Sequence, residues 1–248
     1  MIPELRQKKI IDIISESDII STEKLTKLLD ISPSTLRRDL IKLSKQEKIM
    51  LMHGGGIRIL PKNTELSMYA KMGLHKEAKD QIAKKAASLI ADGDVIYLDP
   101  SSTTYQMIPY LKDCRVTVIT NSVSHIAELI HHKIPCIMVG GTIKISTNSC
   151  IGLIAENILR DFNFNKCFIG ANGFSITSGI TNHDINENVI KTLAVRQSCH
   201  PYFLMDSSKF NVIAMVKLAN INEYPIITEK FIPELSNYNN IIYTNVDL

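Results

Sequence analysis

Hydroxyl-bearing side chains stand directly after an apolar run near residue 100. The run covers residues 95–98 and is followed by Asp99 and Pro100, after which a helix is predicted to begin. The first turn of a helix has backbone N–H groups without partners, and such groups bind anions, especially beside hydroxyls. The segment is therefore a candidate phosphate site, and its hydroxyls belong to Ser101, Ser102, Thr103 and Thr104.

Other apolar runs also end in small or polar residues. Asp99 and Asp206, with Glu187, could accept hydrogen bonds from sugar hydroxyls, and Lys191 or Lys209 could neutralise a phosphate. Each segment alone is equally consistent with an ordinary turn and a helix cap, but their recurrence in one chain favours a binding site. The remaining candidates at these positions are Thr120, Asn121, Ser122, Gly140, Gly141, Asn172 and Gly173.

The apolar runs that must position these residues are predicted to be strands. One helix is predicted before the first of them, over 82–90, and others between them, notably over 122–131 and 186–199. Strands that alternate with helices indicate an α/β fold with a mostly parallel sheet, in which ligands bind beyond the carboxyl ends of the strands. The predicted strands cover 95–98, 116–120, 134–139, 166–169, 202–205, 226–228 and 241–243.

The first sixty residues carry a different pattern. Apolar residues at helical spacing predict one helix over 5–14 and a second after the N-cap Ser21. Ser32 followed by Pro33 marks the start of a third helix, because proline is favoured at the first helical position. The third helix is predicted to pack through Leu36, Leu40 and Leu43 and to expose Ser34, Arg38, Ile41, Lys42 and Lys45, with Arg37 at the margin.

An exposed basic helix after two shorter helices is typical of a helix-turn-helix that enters the DNA major groove. Exposed basic residues are also common on solvated helices, so this face alone leaves the question open. Two short strands around the glycines at 54–56 follow and predict a wing, in which Arg58 could reach a minor groove or a phosphate. The helices and the wing together predict DNA binding.

The charge of the chain is unevenly distributed. The 248 residues include 28 Lys and Arg and 25 Asp and Glu, a formal net charge of +3. Residues 1–60 carry 11 basic and 8 acidic side chains and the remainder carries 17 of each, so the excess lies with the predicted DNA-binding segment. Apolar residues at 45% and charged residues at 21% exclude a disordered chain.

The sequence predicts a cytoplasmic protein. No apolar run approaches the roughly 20 residues of a membrane span, and the N-terminal residues do not have the order of an export signal. The five cysteines are odd in number and lack a Cys-x-x-Cys pair, which favours reduced thiols. The histidines are isolated or directly adjacent, so we expect no metal site, and nothing indicates a cofactor.

Two stretches resemble the amino-terminal signature of the DeoR/GlpR family of bacterial transcriptional regulators: SPSTLRRDL at 32–40 and HGGG at 53–56. The resemblance implies that the third helix reads an operator, and that Asp39 orients an arginine or caps the packing. Arginine pairs with guanine, and Ser or Thr hydroxyls suit phosphates or bases. The DNA-binding residues predicted in this way are Ser34, Thr35, Arg37, Arg38, Lys42, His53, Gly54, Gly55 and Arg58.

The resemblance continues over nearly the whole chain. The motifs at 99–103, 120–122, 140–141, 187–191 and 206–210 are similar to those of the family's sensor domain. The resemblance implies a fold like that of ribose-5-phosphate isomerase and an effector that is a phosphorylated sugar or a related metabolite. The family usually has glycine at the position of Ser101, which leaves the identity of the effector open.

We therefore predict a transcriptional regulator, in particular a repressor of carbohydrate metabolism genes, with no catalytic residues. The predicted domains are a winged helix-turn-helix over 1–58, a linker over 59–75 and an effector-sensing α/β domain over 76–248. One winged domain makes few contacts, so we expect a homo-oligomer, a dimer or tetramer, on operator DNA. The alternative is an enzyme like a sugar-phosphate isomerase with an accessory DNA-binding domain, and a purely architectural DNA binder leaves the large domain unexplained.

Overall fold

The computed structural model describes residues 2–17, 19–45, 48–52, 54–59 and 65–244. The described residues form two compact units, one that ends with Ile59 and one that begins with Glu65. No helix in the described part of the chain is long and apolar enough to cross a membrane.

The N-terminal unit consists of three helices and a small antiparallel sheet. Its strands pair in the order β1-β3-β2, so the strand after the glycine turn lies in the centre. The elements are α1 (Pro3–Ser15), β1 (Ile20–Ser21), α2 (Thr22–Leu29), α3 (Pro33–Lys45), β2 (Ile49–Leu51) and β3 (Gly56–Ile59).

The helix starts of this unit confirm the predicted caps. The Oγ of Ser21 accepts a hydrogen bond of 3.2 Å from the backbone N–H of Lys24, at the start of α2. The Oγ of Ser32 accepts one of 3.3 Å from the N–H of Thr35, at the start of α3. Each cap satisfies an orphan N–H of a first turn. The predicted packing face of α3 is buried, as shown by Leu36, Leu40 and Leu43.

The C-terminal unit is an α/β fold with two small additional sheets. Its helices are α4 (Met68–Gly73), α5 (Lys76–Ala87), α6 (Ser102–Met107), α7 (Val123–His131), α8 (Leu153–Arg160) and α9 (Ile185–Arg196). Its first strands are β4 (Val95–Leu98), β5 (Thr117–Thr120), β6 (Cys136–Met138), β7 (Thr142–Lys144), β8 (Ser149–Ile151) and β9 (Phe164–Gly170). The others are β10 (Gly173–Ser175), β11 (Gly179–Asn182), β12 (Ser198–Leu204), β13 (Val216–Ala219), β14 (Ile226–Thr228) and β15 (Ile241–Tyr243).

The central sheet has seven strands in the order β15-β14-β12-β9-β4-β5-β6, and every neighbouring pair is parallel. Helix residues cover both faces. One apolar cluster joins Ile82 of α5 and Leu129 of α7 to the sheet, and another joins Leu159 of α8 and Ala194 of α9 to it. The predicted mostly parallel α/β fold is confirmed, and the carboxyl ends of its strands meet at one edge.

Several predicted boundaries are wrong, among them those of two helices and of the linker. The helix predicted over 82–90 ends at Ala87, and the one predicted over 186–199 ends at Arg196, because residues from Ser198 onward pair with β9. The linker predicted over 59–75 is too long: Ile59 belongs to β3, and residues 65–75 belong to the C-terminal unit and include α4. Residues 60–64 of that linker lie outside the described residues.

Candidate functional sites

The exposed face of α3 carries most of the predicted DNA-binding residues. Ser34, Arg37, Arg38 and Lys42 are exposed, whereas Thr35 is half-buried. The hydroxyl of Ser32 lies 3.1 Å from that of Ser34 and 2.9 Å from that of Thr35. The first turn of α3 therefore presents a small hydroxyl cluster beside two arginines, a combination suited to phosphate oxygens and guanine.

Asp39 ties α3 to α1 instead of facing solvent. It is 4% exposed, and its carboxylate accepts hydrogen bonds from Arg6 Nε at 2.5 Å and from Gln7 Nε2 at 3.0 Å. Burial raises the pKa of Asp39, but the hydrogen bonds from Arg6 and Gln7 outweigh burial and hold the pKa below its usual value. Asp39 thus binds an arginine, as predicted from the resemblance, and that arginine lies on α1.

The glycine turn after β2 forms the predicted wing. Gly54 and Gly55 have φ values of 88° and 80°, a region that glycine adopts without strain. Arg58 is half-buried on β3 opposite Met50. A groove of about 500 Å³ separates α3 from the wing, and Arg37 lines it together with Ile41, Leu51 and Met52. The predicted site residue His53 lies outside the described residues.

A buried ion pair lies at the carboxyl ends of β4 and β9. Lys191 of α9 donates to the carboxylate of Asp99 and, at 2.9 Å, to the carbonyl oxygen of Gly170. The N–H of Gly170 donates to the same carboxylate at 3.0 Å. Burial raises the pKa of Asp99, although Lys191 acts in the opposite direction. Of the two lysines predicted to neutralise a phosphate, Lys191 is therefore already paired.

The hydroxyl segment after β4 forms the predicted helix start. Ser101 is the N-cap of α6, where its Oγ accepts a hydrogen bond of 3.1 Å from the N–H of Thr104. The Thr104 hydroxyl donates to the carbonyl oxygen of Asp99 at 2.5 Å. Ser102 and Thr103 are buried, at 6% and 5% exposure. The hydroxyls of Ser101 and Thr104, which were predicted to bind an anion, therefore also make hydrogen bonds within the loop.

The residues after β5 are held by the neighbouring strands. Asn121 accepts a hydrogen bond of 2.6 Å from the Tyr97 hydroxyl and donates one of 2.7 Å to the carbonyl oxygen of Cys150. Thr120 donates to the carbonyl oxygen of Leu98 at 2.6 Å. The hydroxyl of Ser122 is buried and has no hydrogen-bond partner in the described part of the chain. Ser122 is fully buried, and it is the residue of this segment whose hydroxyl makes no hydrogen bond to the described residues.

Two of the three predicted glycines of the effector site are sites of close backbone approach. A Cβ at Gly141 would lie 2.8 Å from the carbonyl oxygen of Ile151, and a Cβ at Gly173 would lie 2.1 Å from that of Val212. No side chain fits at either position. Gly140 has no such contact within 4 Å. Asn172 accepts a hydrogen bond of 3.1 Å from the N–H of His183, which joins the turn after β9 to the turn before α9.

Asp206 and Lys209 follow β12, as predicted. Asp206 is 2% exposed and accepts a hydrogen bond of 3.2 Å from the N–H of Ser208, so that it caps a short 3-10 helix, Ser207–Lys209. Lys209 is half-buried and makes no ion pair among the described residues. It is the better placed of the two predicted lysines to receive an anion.

Glu187 belongs to a charged cluster that sequence reasoning missed. Its carboxylate accepts hydrogen bonds from the hydroxyls of Thr147 and, at 2.9 Å, Ser149, and it lies 3.4 Å from Lys144 Nζ. Lys144 also contacts Asp184 at 3.2 Å. The added members are Glu65, Lys71, Lys144, Thr147, Ser149, His183 and Asp184. None of them directly follows a strand of the central sheet. Sequence reasoning looked for ligand-binding residues only at the carboxyl ends of those strands, so it did not identify them.

A winged helix-turn-helix joined to an α/β unit with a polar strand edge defines the class of ligand-responsive DNA-binding proteins. Residues 6–61 match the family described as a DeoR-like helix-turn-helix domain, and residues 74–230 match the DeoR C terminal sensor domain. The chain belongs to the DeoR family of transcriptional regulators. It is thus a DNA-binding regulator rather than an enzyme, as predicted.

Individual relatives cover most of the chain. It is 36% identical to the uncharacterized HTH-type transcriptional regulator FruR of Bacillus subtilis (strain 168), over 92% of this chain and 91% of that one. It is 34% identical to the lactose phosphotransferase system repressor of Lactococcus lactis subsp. lactis, over 83% and 82% of the two chains. The solved ribose 5-phosphate isomerase A of Methanocaldococcus jannaschii is 20% identical, with a TM-score of 0.41 over 54% of each chain.

Within the described residues, no group of three or more His, Cys, Asp or Glu side chains is placed to hold a metal ion. The thiols are free, and Cys199 is exposed.

Proposed function

We propose that the chain is a cytoplasmic repressor of carbohydrate genes that leaves its operator when its sensor domain binds a phosphorylated sugar. The observation that carries the proposal is the sheet edge formed by the carboxyl ends of β12, β9, β4 and β5, which are neighbours in that order. There, the start of α6, the unpaired hydroxyl of Ser122 and the side chain of Lys209 offer groups for a phosphate, while Asp206 offers an acceptor for sugar hydroxyls.

Two further features support the proposal. The relative in Lactococcus lactis is by name a repressor of a lactose phosphotransferase system. The exposed face of α3 is small, so one copy has few contacts with DNA, and we infer that a dimer or tetramer binds paired half-sites. An effector releases DNA only when it binds the DNA-incompetent state more tightly, by about 1–3 kcal/mol in known allosteric proteins.

The test is a titration of the protein–DNA complex with sugars. A duplex selected by the wild-type chain from a random pool is labelled, and its anisotropy is followed while pentose and hexose phosphates are added. We expect at least one sugar phosphate to release the duplex and the same sugar without phosphate to leave it bound. Turnover of the sugar phosphate, or failure of every compound to alter DNA binding, contradicts the proposal.

A lysine variant locates the effector site. Lys209→Met should bind the duplex normally and require at least about tenfold more sugar phosphate for release, because an anion loses its cation. Lys217→Met is the matched control, since Lys217 is an exposed lysine on β13 that hydrogen-bonds Asn220. Equal release curves for the two variants contradict this location of the site.

A further inference from the structure

Glu65 is the first described residue of the sensor domain, and two lysines hold its carboxylate. Lys71 Nζ donates to Glu65 Oε1 at 3.1 Å, and Lys144 Nζ donates to Glu65 Oε2 at 2.5 Å. All three side chains are largely buried, at 13–19% exposure. Burial raises the pKa of Glu65, but the positive charges of the two lysines outweigh it and the pKa lies below its usual value. The carboxylate is therefore ionised.

The same contact docks residues 65–73, here called the docked segment, on the sensor domain. Leu66 and Met68 are buried, and the N–H of Met68 donates to the carbonyl oxygen of Ser146 at 2.9 Å. Ser146 lies in the turn between β7 and β8, and Lys144 is the last residue of β7. The ion pair and the backbone hydrogen bond thus join the docked segment to one hairpin. Only residues 60–64 separate Glu65 from the last residue of the wing strand β3.

The docked segment lies beside the proposed effector site. Lys144 also contacts Glu187, one of the predicted effector-site residues, at 3.4 Å. Burial lowers the pKa of Lys71, and the nearby charge of Lys209 lowers it further. Lys71 and Lys209 are therefore close enough to interact electrostatically, and the charges of Lys71, Lys144 and Lys209 all act on His183. Glu65 is the one ion-pair partner of Lys71 among the described residues. Without Glu65, the buried Lys71 would be unpaired, which favours the binding of another anion there.

We propose that Glu65 is an internal counter-ion that the anionic group of the effector displaces from Lys71 and Lys144. The inference rests on the proposed function, because it requires an anionic effector at the neighbouring site. The Glu65 carboxylate and the anionic group of the effector then compete for Lys71 and Lys144, so each weakens the binding of the other by the same factor. Since Glu65 is separated from the wing strand β3 only by residues 60–64, its displacement is the step by which the sensor domain alters the DNA-binding domain.

The first arm of the test needs no effector. Hydrogen exchange of the amides of residues 68–73 is measured in the full chain for wild type, Glu65→Gln and Asp92→Asn. Glu65→Gln keeps the shape of the side chain but removes its charge, so exchange should become at least about tenfold faster. Asp92 forms an ion pair of 3.0 Å with Arg115 before β4, at the opposite end of the strand, and its variant should exchange like wild type.

The second arm measures binding of the sugar phosphate that gives the largest shift of melting temperature in a panel of pentose and hexose phosphates, with inorganic phosphate as a further probe. The dissociation constant should fall at least about fivefold in Glu65→Gln, because the internal competitor is gone. Glu65→Asp keeps the charge on a shorter side chain, so its dissociation constant should lie between those of the wild type and Glu65→Gln. Circular dichroism establishes that each variant is folded.

The outcomes separate the two proposals. If the wild type binds a sugar phosphate and Glu65→Gln binds it no more tightly, the displacement of Glu65 is contradicted, but the proposed effector site is not. Unchanged exchange in Glu65→Gln also overturns it. If no sugar phosphate binds the wild type or Glu65→Gln, both proposals are contradicted, because each requires a sugar phosphate as the effector.

Discussion

Gly170 has no space for a side chain, because Ser101 fills it. A Cβ at Gly170 would lie 2.4 Å from the Cβ of Ser101 and 2.7 Å from its Oγ. The backbone of Gly170 also donates to Asp99 and accepts from Lys191. The side chain at position 101, where the family resemblance implies glycine, therefore depends on the glycine at 170.

This dependence predicts a compensating pair of substitutions. Gly170→Ala should lower the free energy of unfolding by about 1–3 kcal/mol, as overpacking of a core does. Ser101→Gly should recover most of that loss in the double variant, since glycine is nearly as good an N-cap as serine. Urea unfolding of the four chains measures the coupling. A double variant no more stable than Gly170→Ala would show that the strain has another origin.

At this scale the sequence predicted where polar residues lie but not how they pair. Asp99 and Lys191 were both candidates for ligand contacts, and their ion pair joins residues 92 positions apart. No local pattern reveals such a partner. Lys144 was missed for the same reason, because tertiary packing alone brings it to Glu65 and Glu187.

Among the elements, α3 was the one that sequence reasoning described best. A serine N-cap, a proline at the first position and leucines at helical spacing are local signals, and each acts within a few residues. The hairpin of β7 and β8 gave no such signal, because each strand has three residues. The small sheet of β10, β11 and β13 was missed because its strands, of three or four residues, are too short to give a strand pattern.

The exposed face of α3 predicts a specific loss of DNA affinity. Arg38→Ala should weaken binding to the selected duplex at least about tenfold and binding to random DNA much less, because a base contact carries about 1–3 kcal/mol of discrimination. Lys9→Ala removes an equal charge from an exposed position of α1 and serves as the control. Competition binding at fixed salt measures both. A similar loss for both duplexes would make Arg38 a phosphate contact only.

The C-terminal unit contains a buried histidine that is neutral at pH 7 and links its stability to pH. His125 of α7 is fully buried, with its ring nitrogens 3.4 Å from the carbonyl oxygen of Ser101 and the hydroxyl of Thr120. Burial lowers the pKa of His125 from 6.5 to about 4. As the pH falls below 6.5, His125 becomes protonated in the unfolded chain, whereas in the folded chain it stays neutral until about pH 4. The folded state therefore loses stability over that interval.

The expected loss from this group is about 2 kcal/mol at pH 5 relative to pH 7. His125→Gln removes the titrating group. From pH 7 to pH 5, the free energy of unfolding of this variant should therefore decrease by about 2 kcal/mol less than that of the wild type. Urea unfolding at both pH values measures the difference. His131→Gln, at an exposed position of the same helix, should behave like wild type. The same pH dependence in all three chains would rule out this role.

For the whole molecule, the alternation of strands and helices predicted the fold class, since a parallel strand requires a crossover connection. It did not predict the strand order. The neighbours of β4 are β5 and β9, and that choice depends on contacts between segments about 70 residues apart along the chain.

The same strand order fixes the sequence of events during synthesis. The N-terminal domain has all its strands once Ile59 has left the ribosome, whereas β4 gains its second neighbour only after β9 has emerged, at Gly170. Domains fold as units from the N-terminus as the chain grows. Translation therefore completes the DNA-binding domain before the central sheet of the sensor domain can form, and a chain that ends between β5 and β9 contains the first without the second.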